Sequence, residues 1–184
     1  MPPNIAAIFQ ALADGDDLPR VLEKFHLSRE QLNTIFQEVA RYYRDLEQGQ
    51  WTLYCDGASS GNPGPAGAGF ILIDPDGEIR LERGDYLGEA TNNVAEYRGL
   101  ILGLKATLNL GVQKIQVYSD SELLVRQLNR IYRVKAPHLI PLYQEARKEL
   151  QKFRSYAISH VPRDRNWEAD RLARQAIDRK GRTM

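Results

Sequence analysis

The stretch WTLYCDGASSGNPGPAGAGFILIDPDGEIRLERGDYLG, residues 51–88, decides the fold. Before it, apolar residues recur every three or four positions. Within it the pattern shortens to alternation or to brief apolar runs, which marks strands. WTLYCDG (51–57) reads as one strand, and AGAGFILID (66–74) as a second, nearly all apolar, as a buried strand is. Asp74-Pro75-Asp76-Gly77 is a turn signal, and EIRLERGDYLG (78–88) alternates, so strands two and three form a hairpin. In residues 54–70 glycines fall at 57, 61, 64, 67 and 69. A dinucleotide loop needs G-x-G-x-x-G between a strand and a helix. Here Gly67-Ala68-Gly69 leads into a strand, so no helix N-terminus faces a phosphate. No Lys-Ser/Thr pair is present, which excludes a Walker loop. The glycines read as a turn plus close backbone approach between strands.

Downstream the chain alternates helix and strand. A long amphipathic helix starts near Asn93, with Val94, Tyr97, Ile101, Leu104 and Leu108 as its stripe and Gly111 as its stop. KIQVYSD (114–120) is a fourth strand, SELLVRQLNRIY (121–132) a helix, PLYQEARKELQKF (141–153) another helix, and SYAISHVP (155–162) a fifth strand. NWEADRLARQAIDR (166–179) is the last helix. The order β-β-β-α-β-α-α-β-α predicts an α/β fold: a mixed five-stranded sheet with helices on its faces.

Upstream, residues 1–49 predict a separate all-helical domain, with 50–184 as the main one. Ile5, Ile8, Phe9 and Leu12 fit one helical face; Ala13 to Asp17 breaks it; Leu18, Val21, Leu22 and Phe25 make a second stripe. Ser28 with Gln31 forms a capping-box pattern before a third helix, with Leu32, Ile35, Phe36, Val39 and Tyr43 inward. LPRVLEKFHLSREQLNTIF (18–36) matches a helix-turn-helix in its lengths, but its turn has no Gly and its third helix little positive charge. Residues 1–50 hold 5 Lys+Arg against 8 Asp+Glu, and residues 51–184 hold 20 against 16. The first part is acidic and the second mildly basic, which permits a nucleic-acid partner for the larger domain. No apolar run approaches a membrane span and no signal peptide is visible. The single cysteine, Cys55, reads as a small core residue on a strand, and a cytoplasmic setting is expected.

Four acids stand near element ends: Asp56, Glu96, Asp120 and Asp170. Singly, each has a structural reading. Asp56-Gly57 is a turn, Asn93 with Glu96 a capping box, Asp120 an N-cap, and Asp170 a complement to a helix dipole. Jointly they point elsewhere. Strands one and four are natural central neighbours, and if parallel their ends emerge on one edge, where open α/β sheets place sites. Carboxylates side by side repel unless a cation intervenes. Four carboxylates with almost no His or Cys suit Mg²⁺ or Mn²⁺. Two such ions ~3.5–4 Å apart clamp the attacking and leaving oxygens of a phosphodiester displacement.

YCDGASSGNPGPAGAGF (54–70), ATNNVAEYRGLILGL (90–104), VYSDSELLV (117–125) and HVPRDRNWEADRLA (160–173) together resemble the ribonuclease H type one family. The resemblance covers about residues 51–178. It implies endonucleolytic cleavage of the RNA strand of an RNA–DNA hybrid with two divalent ions, leaving 5′-phosphate and 3′-hydroxyl ends. It assigns Asp56 to both ions, Glu96 and Asp120 to one, and Asp170 to the other. It also implies hybrid contacts from Gly57, Ala58, Asn62, Asn92 and Asn93, the main chain at Gly57 and Ala58 meeting the ribose 2′-OH. Many members carry a loop His before the last acid; here His160 falls on a strand, and Arg163 or Arg165 replaces it electrostatically. Glu122 stands where some members have Gln, and the basic protrusion is reduced to Arg130, Arg133 and Lys135. These features resemble the shorter, archaeal-type branch. Two other readings are a non-catalytic hybrid-binding module and another nuclease or strand transferase on the same fold. The helical N-terminal domain has nucleic acid, a protein or a second copy of itself as its open partners.

Overall fold

Short polar side chains, Asn4, Asp17, Ser28, Thr91 and Ser121, cap the starts of five helices. The structure, a computed structural model, describes the backbone of residues 4–47 and 49–181 and the side chains of 4–40 and 49–179. The chain divides into two compact units, residues 1–48 and 49–184.

The first unit holds α1 (Ile5–Ala13), α2 (Leu18–Lys24) and α3 (Arg29–Glu47). Asn4 caps α1 by accepting from the Ala7 N–H, and Asp17 caps α2 by accepting from Arg20. The Ser28–Gln31 box closes in both directions: the Gln31 N–H donates to Ser28 Oγ at 3.1 Å, and the Ser28 N–H to Gln31 Oε1 at 2.8 Å. A cap of this kind contributes about 1 kcal/mol. Ile8, Ala11, Val21, Leu32 and Ile35 form the unit's own core. Between α2 and α3 the chain turns through His26 at φ 53°, a left-handed position usually given to Gly. The missing Gly therefore did not prevent the turn. The Tyr43 side chain lies outside the described residues.

The second unit runs β1 (Trp51–Ser59), β2 (Gly64–Ile73), β3 (Ile79–Ala90), α4 (Asn92–Asn109), β4 (Lys114–Ser119), α5 (Glu122–Leu128), α6 (Ile140–Leu150), β5 (Ser155–His160) and α7 (Trp167–Gly181). The sheet order is β3-β2-β1-β4-β5. β1–β2 and β2–β3 are antiparallel, β1–β4 and β4–β5 parallel. This is the mixed sheet expected from the element order. Several boundaries shift by two to four residues, those of β1 and α5 among them. β1 continues past Gly57 because its pairing with β2 runs on to Ser59↔Ala66. The helix expected to reach Tyr132 stops at Leu128: Arg130 turns left-handed at φ 60°, and the N–H groups of Ile131 and Tyr132 both donate to the Arg126 carbonyl.

The core packs Leu53, Phe70 and Leu72 of the strands against Tyr97, Leu100, Ile101 and Leu104 of α4 and Leu142, Ala146 and Leu150 of α6. The glycines explain how close the layers come. A Cβ on Gly57 would lie 2.1 Å from the Ala95 carbonyl carbon, and one on Gly67 2.2 Å from the Ala173 carbonyl oxygen. Gly57 pairs with Ala68, so Gly67 faces the opposite side of the sheet. The close approach is thus between sheet and helix, α4 on one face and α7 on the other, and not between strands as the sequence reading had it. Gly67→Ala is expected to lower stability by about 2 kcal/mol in urea unfolding, since main chain must move to admit the methyl.

Candidate active site

Strand register comes first. The β1–β4 ladder pairs Trp51 with Ile115 and Tyr54 with Tyr118. Carried two residues further, the same register sets Asp56 opposite Asp120. Asp56 does not end its strand: it still pairs with Gly69 of β2, beyond the last β4 rung. Asp120 follows directly after β4. Glu96 sits at the second turn of α4, not the first, next to the main chain that Gly57 admits. Asp170 lies in the first turn of α7.

Other residues do the capping that Glu96 and Asp120 had as structural readings. Thr91 caps α4, accepting from the Val94 N–H, so no box joins Asn93 to Glu96. The Glu96 carboxylate instead accepts from Asn92 Nδ2 at 2.9 Å and from Ser121 Oγ at 2.6 Å. Ser121 also caps α5 by accepting from the Leu124 N–H, which relieves Asp120 of that task. Asp120 Oδ1 accepts from Asn166 Nδ2 at 2.7 Å. Asp56-Gly57 is strand and not turn. Asp170 is paired by Arg163 at 2.7 Å and Arg174 at 2.8 Å.

All four acids line one open cleft of about 460 Å³, together with Gly57, Ala58, Asn92, Ser121, Arg163 and Arg174. Among the described residues, Asn62 and Asn93 do not line it. Asn62 is nonetheless tied to the rim, its Oδ1 accepting from the Asn92 N–H at 3.2 Å. His160 ends β5, and its Nε2 donates to the Asp120 carbonyl at 3.2 Å. Cys55 is fully buried, and burial followed by the neighbouring acids pushes its thiol up, so it is no nucleophile.

Burial is the main electrostatic fact of the cleft. It pushes Asp56 up to about 8; Asp120, Asp170 and Glu96 add to the rise, and the Gly57 N–H opposes it. Burial also pushes Glu96 up to about 7, against the Ser121 and Asn92 hydrogen bonds and with help from Asp120. Asp170 goes the other way: burial raises it, but the bonds and charges of Arg174 and Arg163 together hold it below the usual carboxylate range.

The donor set fits a hard divalent cation: carboxylates line the cleft, no His or Cys lines it among the described residues, and two of those carboxyls are reluctant to ionise alone. Among the described residues, no three Asp, Glu, His or Cys side chains stand close enough to enclose an ion as they lie. The Glu96, Asp120 and Asp170 carboxylates are each turned onto local partners, and an ion would have to compete with those partners. Sequence reasoning missed Ser121, Asn166 and Arg174. Arg174 was visible as an i,i+4 partner of Asp170. Ser121 and Asn166 each precede a helix and so read as ordinary caps.

Fold and cleft define an α/β domain of the ribonuclease H-like class. The family described as "Reverse transcriptase-like" matches residues 54–176. Ribonuclease HI of Halobacterium salinarum is 44% identical over 130 residues, covering 71% of this chain and 65% of that protein. Its crystal structure superposes with a TM-score of 0.69, covering 71% of this chain and 98% of that one. Bifunctional protein Rv2228c of Mycobacterium tuberculosis is 46% identical over 127 residues, 68% of this chain and 35% of that protein. LC11-RNase H1, solved in complex with RNA/DNA hybrid, is 37% identical with a TM-score of 0.67, covering 71% and 98%. The chain belongs to the ribonuclease H type one family. It matches 65% and 35% of the length of the first two of these relatives.

Because the folded values of Asp56 and Glu96 lie above their ordinary ones, the ion-free fold is most stable with both protonated. It loses stability as pH rises from about 4 through about 7 and 8. Asp56→Asn removes the buried charge. In chelator at pH 8 it is expected to unfold about 4–8 °C above the unsubstituted protein, on the order of 2 kcal/mol, with the gap closing by pH 4. Calorimetric scans across that range check it.

Proposed function

We propose that this protein is an endoribonuclease that cleaves the RNA strand of RNA–DNA hybrids by metal-dependent hydrolysis, leaving 5′-phosphate and 3′-hydroxyl ends. The observation that carries this reading is the meeting of Asp56, Glu96, Asp120 and Asp170 in one cleft beside the β1–β4 edge. Such a concentration of buried negative charge destabilises the cleft unless cations occupy it.

Asp56 holds the central place, facing three other acids, and Glu96, Asp120 and Asp170 surround it as the further ligands of two Mg²⁺ or Mn²⁺ ions. When bound, these ions supply an activated water at neutral pH and charge stabilisation for the leaving oxygen. The chain's own residues aim the acids. Asn92 and Ser121 together fix both oxygens of Glu96, and Asn166 fixes Asp120. Arg163 and Arg174 balance Asp170. On the substrate side, Gly57 and Ala58 line the cleft with main chain and a methyl only, which leaves room for a ribose. Asn62, Asn92 and Asn93 stand at the start of α4 and its facing loop, where they read the minor groove of the hybrid. The bond between Asn62 and Asn92 makes loop and helix start one surface.

A labelled hybrid, single-stranded RNA, duplex RNA and duplex DNA, each with and without Mg²⁺ or Mn²⁺, test the activity. Cleavage of the hybrid alone, lost in Asp56→Asn and Asp120→Asn by at least about 10²-fold, is expected. Near-normal cleavage by either variant removes that residue from the ligand set. The N-terminal unit, residues 1–48, is proposed as an accessory to the catalytic unit. A chain starting at Gly49 is expected to keep its kcat and to lose hybrid affinity, processivity or self-association, read from KM, product length and sedimentation.

A further inference from the structure

Asn166 stands immediately before α7, where an Asn ordinarily turns its side-chain oxygen onto a first-turn N–H. Here it does not. The Asp170 N–H is satisfied by the Asn166 main-chain carbonyl, at 3.1 Å. The carboxamide points inward, only 1% of the residue is exposed, and Oδ1 is buried with no partner among the described residues. Both amide protons go instead to the sheet: one to the Cys55 carbonyl at 3.1 Å, one to Asp120 Oδ1 at 2.7 Å. The reverse orientation would set Oδ1 against two acceptors and strand both protons, so this orientation is forced.

We infer that Asn166 is a positioning residue: it locks the Asp120 carboxylate to the end of β1 and couples both to the helix start that carries Asp170. The inference rests on the hydrolytic reading above. Its physical basis is that one neutral side chain touches the residue preceding Asp56, touches Asp120, and bonds through its main chain to Asp170. A helix cap alone does not account for the side chain, because it makes no capping bond. A neutral donor also suits the place. An amide steadies the carboxylate without adding positive charge beside it. Asp170 contrasts with it, being held by Arg163 and Arg174, which are both largely exposed. Residues that orient ligands in this manner typically change metal affinity or activity 10- to 100-fold when removed.

The test uses the full chain with Asn166→Ala and Asn166→Ser, and with Gln127→Leu as a control. Gln127 is also buried and accepts from the Tyr97 hydroxyl, and it is bonded to none of the four acids. Two readouts are taken: Mg²⁺ binding to the protein alone by calorimetry, and kcat and KM on a labelled hybrid at saturating Mg²⁺. For Asn166→Ala the expected result is a Mg²⁺ Kd raised about tenfold or more and kcat lowered about tenfold or more, with KM within about threefold. Asn166→Ser, which keeps one donor, falls between it and the unsubstituted protein. Gln127→Leu lowers the melting temperature but leaves both readouts within about twofold. Mg²⁺ Kd and kcat within about twofold in folded Asn166→Ala overturn the inference, as does an equal loss in Gln127→Leu. So does failure of both Asn166 variants to fold, which makes the residue structural. If the unsubstituted protein does not cleave hybrid, the functional reading falls. The Mg²⁺ binding comparison then still decides the role of Asn166.

Discussion

From Trp51 to Tyr54 the first strand lies parallel to Ile115–Tyr118, and the geometry of the cleft descends from that ladder. It sets the direction of two chain segments more than sixty residues apart so that Asp56 and Asp120 leave it side by side. A one-residue slip would turn one of the two away, because side chains alternate across a strand. The register is held by burial. Leu53 and Cys55 of β1 and Ile115 and Val117 of β4 are all fully buried.

Around this ladder, backbone must come very near backbone. Gly57 and Gly99 let α4 settle on β1, and Gly67 and Gly69 let α7 settle on β2 from the other face. The two helices bring Glu96 and Asp170 to the cleft. Side chains at those glycines would hold the helices back and draw the outer acids away from the inner pair. The small residues of the motif are therefore a packing requirement first. Their consequence for a ligand is that the cleft wall beside Asp56 is thin.

The acids are gathered at an energetic cost. Asp56 and Glu96 are pushed toward neutrality by burial, while Asp170 is kept charged by two arginines. A fold optimised for stability alone would not place these groups together, and sites bought against stability are commonly functional ones. The molecule limits the cost with polar side chains of no net charge, Asn92, Ser121 and Asn166, which direct the carboxylates without neutralising them. Among the described residues of the N-terminal unit there is no such arrangement. Its described residues form a capped three-helix core with an acidic balance.

The amino-acid sequence by itself determined the elements and their order, and it singled out the four acids that line the cleft. Periodicity is a local property, and each acid lies in a short contiguous motif that can be read without the fold. The Ser28–Gln31 box was likewise readable, since both partners lie within one turn. Only the tertiary structure decided what each acid touches. Asn166 meets Cys55 across 111 residues and Asp120 across 46, and Ser121 meets Glu96 across 25. Those distances carry no local signal, and in sequence both side chains resemble helix caps. The same holds for the glycines: in sequence they read as a turn plus close approach between strands, whereas in the fold helices close on them. Hydrogen bonds and steric contacts act over a few ångströms in space, and the fold alone fixes which residues come within that range.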